Sequence, residues 1–195
     1  MLFRSPLQKK ETIRRAVGWG DRELLTRFVG KENVERALKI YRRHHVMALK
    51  TGTRLLPGAK RLISDLKREK YKLAVASNRP TKFSIIALQY LKIKKCFDYI
   101  LCADKLKRGK PHPQILFQIL EKLKVSRVET LYVGDMTIDV QTGNRAGVKT
   151  VAVLTGSCSM SDIKPLKPFR IIKKISQLVP IINELNMGVK QGEFL

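Results

Sequence analysis

The chain is short of acid. Its 195 residues carry 16 Asp and Glu against 40 Lys and Arg, a net charge of +24. It has three cysteines, Cys96, Cys102 and Cys158, an odd number at no metal-ligand spacing. That excludes a disulfide scaffold and a cysteine zinc site and fits small apolar residues in a reducing compartment. No run approaches the roughly 20 apolar residues of a membrane span. The opening "MLFRSPLQKKETIRR" lacks a signal-peptide core, so a cytoplasmic protein without a membrane partner is expected. Aromatic residues are 7% of the chain. They do not alternate with the basic clusters "KREKYK", "KIKK" and "KLKRGK", as a stacking platform for nucleic acid requires. The positive field attracts phosphates, and a solvated basic surface with a small anionic substrate is the simpler reading. A basic nucleic-acid-binding protein is the alternative that charge alone suggests.

What is present is a change of rhythm. Residues 9–50 read as helices, with Leu24, Leu25 and Phe28 on one face and Val34, Leu38, Tyr41 and Val46 at helical spacing. "TGTRLLPG" then reads as a linker. After it, helical stretches alternate with the apolar segments "YKLAVAS", "FDYILCAD", "TLYVGD" and "KTVAVLTG". That alternation predicts a doubly wound parallel α/β sheet with helices on both faces. Ligands of such sheets sit at the C-terminal strand ends. The expected division is a helical cap at 9–52, an α/β core at 53–186 and a frayed tail at 187–195.

Three strand ends are polar. "VASNRP" places Ser77 and Asn78 after a strand, where a hydroxyl and free N–H groups can hold a phosphate oxygen. "KRGKPHP" confines Lys110 between Gly109 and Pro111, a point charge able to neutralise a phosphoryl group. "LYVGDMTIDV" places Asp135 and Asp139 one helical turn apart, hard ligands suited to Mg²⁺. Each has a plain alternative in turn chemistry, surface charge or helix capping. Of the histidines, His44 and His45 are adjacent on a helix and point about 100° apart, so they cannot share a metal. His112, between two prolines beside Lys110, and Arg22 in "VGWGDR" are candidates for substrate contact.

Taken in order, these segments resemble the second, third and fourth motifs of the haloacid dehalogenase superfamily. Gly-Lys-Pro-x-Pro and "GDMTIDVQTGNRAG" are most like its phosphoglycolate phosphatase branch, and "ETIRRAVGWGDRELLTRFVG" is similar to that branch's helical cap. The resemblance implies a Mg²⁺-dependent phosphatase of small phosphorylated metabolites. Lys110 would stabilise phosphate charge, Ser77 and Asn78 would bind phosphate, and Asp135 and Asp139 would ligate metal. It also implies strand order 5-4-1-2-3 and a nucleophilic aspartate at the end of strand 1, with a second aspartate two positions on. Here the seven aspartates, at 21, 65, 98, 104, 135, 139 and 162, include no two that are two apart. Strand 1 is therefore expected to be missing, residues 1–8 foreign to the family, and this chain inactive. Leu2-Phe3-Arg4-Ser5 also matches what the end of a common sequencing adapter encodes. An assembly artefact at the edge of a truncated gene is the expectation there. A phosphate-binding pseudoenzyme is the further alternative, and it predicts a repacked sheet with the strand-1 slot closed.

Overall fold

The computed structural model describes residues 7–191, so the expectations for residues 1–6 and 192–195 lie outside the described residues. Three helices come first: α1 (Lys10–Ala16), α2 (Asp21–Val29) and α3 (Val34–Gly52). Helices and strands then alternate: α4 (Ala59–Arg68), β1 (Ala74–Ser77), α5 (Thr81–Tyr90), β2 (Tyr99–Cys102), α6 (Gln114–Leu123) and β3 (Leu131–Gly134). They continue with α7 (Thr137–Ala146), β4 (Lys149–Val153), α8 (Met160–Ile163), β5 (Arg170–Ile172) and α9 (Leu178–Gln191). Among the described residues, no helix is long and apolar enough to cross a membrane.

Burial follows the sequence pattern. In α6, Ile115, Leu116, Ile119 and Leu120 are buried as one stripe, the spacing of a core-facing helix. In β4, Thr150 to Val153 are all buried, the unbroken run of a strand covered on both faces. Pro180 is tolerated in α9 because it falls in the first turn, where its missing N–H would have had no intrahelical partner.

Every observed strand pairing is parallel, as expected, but the sheet is in two pieces: β2–β1, and β3–β4–β5. No ladder joins β1 to β3. The Leu73 carbonyl accepts the N–H groups of Asp98 and Tyr99 at 2.8 and 3.4 Å. Leu73, Val75 and Ser77 therefore turn their backbone groups toward β2. By alternation, Ala74 and Ala76 turn theirs away from it. β1 is half-buried along its whole length, unlike β4.

Helices hold the two pieces together. On one face, α6 packs with Leu101 of β2 and Tyr132 of β3, with Ala74 and Ala76 against the same cluster. On the other, Leu62 of α4 and Leu178 and Ile181 of α9 pack with Val151, Val153 and Ile172. The N-terminal helices sit on the core where Val46 and Leu49 of α3 meet Phe83, Ile86 and Ala87 of α5. The strands are shorter than their apolar segments, and α8, capped by Ser159 and Asp162, has no counterpart in the sequence reading.

Candidate functional site

The strand ends, the loop before α6 and the start of α2 enclose a cavity of about 290 Å³. Ser77, Asn78, Lys110, Asp135 and Asp139 all line it. The expected convergence at the C-terminal edge of the strands is therefore present, and the five side chains divide the tasks.

Asp139 is the anchor. Its Oδ1 accepts Lys110 Nζ at 2.6 Å and the Tyr132 hydroxyl at 2.8 Å. Its Oδ2 accepts the N–H groups of Asp135 and Met136 at 3.1 and 3.0 Å. A carboxylate offers about four lone-pair sites, and all four are taken, which leaves none for a metal. Gly134 makes this possible, since a Cβ there would lie 2.3 Å from Asp139 Cβ. Burial raises the Tyr132 hydroxyl far above its ordinary value, with the Asp139 charge adding to the effect, so Tyr132 stays a neutral donor.

Lys110 reaches across the divided sheet. Its Nζ donates to Asp139, to the Tyr132 hydroxyl at 3.1 Å and to the Ala76 carbonyl of β1 at 3.1 Å. Its side chain is 10% exposed and that of Asp139 5%. All three ammonium hydrogens have partners. Of the three, the Ala76 carbonyl is the neutral backbone acceptor that an incoming phosphate oxygen can replace.

Asn78 spends its amide on this lysine. Oδ1 accepts the Lys110 N–H at 2.8 Å, and Nδ2 donates to the Lys110 carbonyl at 2.9 Å and to the Gly18 carbonyl at 3.2 Å. Its donors and main acceptor site are committed, so it latches the lysine loop to the N-terminal helices rather than facing a phosphate. Gly109 is confined by it, since a Cβ there would lie 2.9 Å from Asn78 Oδ1. Ser77 is different. Its Oγ accepts the Arg79 N–H at 3.0 Å, which leaves the hydroxyl hydrogen to donate.

Asp135 is the carboxylate turned to the cavity. Burial raises its pKa, the Asp139 charge adds to this, and Lys110 opposes it. The chain passes close behind it at Gly156, where a Cβ would lie 2.5 Å from Oδ2. A carboxyl that stays open to solvent and has a raised pKa is a hard oxygen ligand that a divalent cation would stabilise. Among the described residues no cluster of three or more His, Cys, Asp or Glu is placed to hold a metal. Among the described residues lining the cavity, Asp135 is the carboxylate with oxygens that could hold a divalent cation.

Two expected contacts lie elsewhere. Arg22 pairs with Glu35 at 2.5 Å on the exposed side of α2. The His112 Nδ1 accepts the Gln114 N–H at 3.2 Å at the start of α6. Neither lines the cavity. Sequence reasoning missed Arg79, Tyr41 and Asp21 and left His45 without a role. The one available signal was that Arg79 directly follows Ser77 and Asn78 at a strand end.

Comparison with known proteins places this geometry. The chain is 32% identical over 124 residues to pyrophosphatase PpaX of Bacillus mycoides, covering 64% of this chain and 58% of that protein. A Bacillus cereus pyrophosphatase PpaX matches at 32% over 124 residues, covering 64% and 57%. The chain thus spans under three fifths of the length of these curated relatives. Among solved structures, a predicted phosphoglycolate phosphatase from Haemophilus somnus superposes with a TM-score of 0.84 at 24% identity, covering 91% of this chain and 84% of that one. A β-phosphoglucomutase from Clostridium difficile gives 0.80 at 23%, covering 94% and 85%. At these identities the two structures speak for the fold. The family model for haloacid dehalogenase-like hydrolases matches residues 3–153, and with the divided parallel sheet and the lysine–aspartate site at its strand ends, the chain belongs to that family.

Proposed function

We propose that this chain carries the phosphate-binding part of a Mg²⁺-dependent phosphatase acting on small phosphorylated metabolites, and that it does not turn over substrate by itself. The observation that carries the reading is the meeting of Ser77, Lys110 and Asp135 on one small cavity. Ser77 donates its hydroxyl to a phosphate oxygen, and Lys110 supplies positive charge within reach of the same group. Asp135 holds Mg²⁺, which when bound draws charge from the phosphate oxygens. Asp139 and Asn78 position the lysine through its side chain and its backbone. Phosphoryl transfer depends on such positioning and charge stabilisation, but it also needs an in-line nucleophile. Asp21, the remaining carboxylate on the cavity, is held by Arg42 at 2.7 Å. Asp139 is saturated, and Asp135 is the carboxylate that would hold Mg²⁺. Similarity to pyrophosphatases and to a phosphoglycolate phosphatase fold supports a small, highly charged substrate.

The purified chain, given Mg²⁺ and p-nitrophenyl phosphate, phosphoglycolate or pyrophosphate, shows no hydrolysis above background. Fusing an apolar strand that ends in Asp-x-Asp ahead of Lys9 brings turnover, and Lys110→Ala or Asp135→Asn then removes it. Robust turnover by the unmodified chain overturns the claim of inactivity. No gain from the fused strand favours a phosphate-binding protein without catalysis.

A further inference from the structure

The far wall of the cavity has a cation that the phosphate site does not use. Arg79 is exposed and lines the cavity. Its backbone N–H is tied to Ser77 Oγ, and Pro80 follows it, so the turn that presents the phosphate hydroxyl also fixes the root of this side chain. Among the described residues, no carboxylate pairs with its guanidinium. The neighbouring charges are already matched: Lys110 with Asp139, and Asp21 with Arg42. Asp135, the cavity's other unpaired charge, is the candidate metal ligand, so Arg79 is the lining cation left without an ion-pair partner among the described residues.

The groups around it suit an oxyanion. His45 stacks on Tyr41 at 4.9 Å between ring centroids and meets Phe83 edge-on at 5.0 Å. Burial lowers the His45 pKa, and the positive charge of Arg79 lowers it further against the opposing pull of Asp21. The Tyr41 hydroxyl is raised by burial, and Arg79 and Asp21 act on it in opposite directions. Both rings thus stay neutral beside the guanidinium. A guanidinium can grip a carboxylate or phosphoryl group through two parallel hydrogen bonds.

We infer that Arg79 reads a second anionic group on the substrate, so that the cavity selects small molecules bearing a phosphoryl group at one end and a carboxylate or second phosphoryl group at the other. This rests on the phosphate-site reading above. Esters with neutral tails leave Arg79 without a partner under the N-terminal helices and bind less well.

The test uses the whole chain with Mg²⁺ and three non-hydrolysable probes followed by calorimetry: methylphosphonate, phosphonoacetate and imidodiphosphate. Phosphonoacetate or imidodiphosphate should bind at least tenfold more tightly than methylphosphonate. Whichever of the two binds more tightly identifies the second group as carboxylate or phosphoryl. Arg79→Ala should remove the tenfold advantage while leaving methylphosphonate within twofold. Lys122→Ala, on the exposed face of α6, should change neither and so controls for the overall positive charge. Equal binding of all three probes overturns the role of Arg79 and leaves the phosphate site standing. So does an equal loss for all three in Arg79→Ala. Absence of binding by every probe, methylphosphonate included, overturns the phosphate-site reading and this inference with it.

Discussion

Asn78 and Lys110 hold each other twice: the lysine N–H donates to the asparagine oxygen, and the asparagine amide donates back to the lysine carbonyl. The pattern mimics one rung of a sheet ladder between a strand end and a loop. A third bond, to Gly18, ties in the N-terminal helices. One side chain thus sets the lysine and the roof of the cavity together.

Asn78→Asp retains the acceptor and loses both donors, leaving the Lys110 and Gly18 carbonyls without their partner. Each unpaired, largely buried group costs about 1–3 kcal/mol. Urea denaturation should show a loss of roughly 2–4 kcal/mol, and phosphate affinity should fall with it. An unchanged midpoint would mean that water replaces the amide at no cost.

The Lys110–Asp139 pair is desolvated, so breaking it costs more than an exposed ion pair would contribute. Asp139→Ala strands the ammonium and should cost about 3–5 kcal/mol. Lys110→Met should cost less, because Tyr132 and two backbone N–H groups still serve the carboxylate. The double variant should be about 1–3 kcal/mol more stable than the sum of the two losses. Strict additivity would show that the ion pair does not hold the site together.

Asp135 sets a pH dependence. Its folded-state pKa lies above the ordinary carboxyl value, so within the interval between the two values the folded chain binds more protons than the unfolded one. Stability therefore falls as pH rises through that interval, and the full penalty is present above it. Asp135→Asn removes the slope and raises the stability of the metal-free chain at neutral pH. Mg²⁺ at ten times its dissociation constant should stabilise the unaltered chain by about 1.4 kcal/mol and leave Asp135→Asn unchanged. Thermal melts with and without Mg²⁺ at several pH values decide this. Equal stabilisation of both proteins would place the metal elsewhere.

Helix α7 lies so close to β4 that a Cβ on Gly143 would sit 1.7 Å from Thr150 Oγ1. Thr150 is 1% exposed and cannot move aside. Gly143→Ala should destabilise by about 1–3 kcal/mol despite the better helix propensity of alanine. Thr150→Ala in the same chain should recover part of the loss. A Gly143→Ala variant more stable than the parent would show that α7 can shift outward, and Asp139 with it.

The parallel fold and the meeting of Ser77, Lys110, Asp135 and Asp139 were legible because each rests on short-range sequence. Apolar runs ending in a polar residue mark strand ends, and a parallel sheet gathers its strand ends on one edge. Strand lengths were not legible. Leu73 looks like strand, but its N–H donates to the Asp98 carboxylate at 2.7 Å, and regular pairing begins only at Ala74. The separate tasks of Asn78 and Asp139 depend on partners 32 and 29 positions away. Arg79, Tyr41 and His45 meet only because α3 packs on α5. No local pattern distinguishes them from surface residues of a basic chain.

The division of the sheet has a consequence for the behaviour of many copies together. Among the described residues, β1 and β3 each have no strand paired on one side, and such an edge is a template for the backbone of another chain. Like charge keeps the copies apart: each carries a net +24. Salt removes that protection, because the screening length shrinks from about 30 Å at 0.01 M to about 3 Å at 1 M. Surface charge is therefore what opposes association of copies through this seam. The chain's colloidal stability falls with ionic strength even where its fold does not.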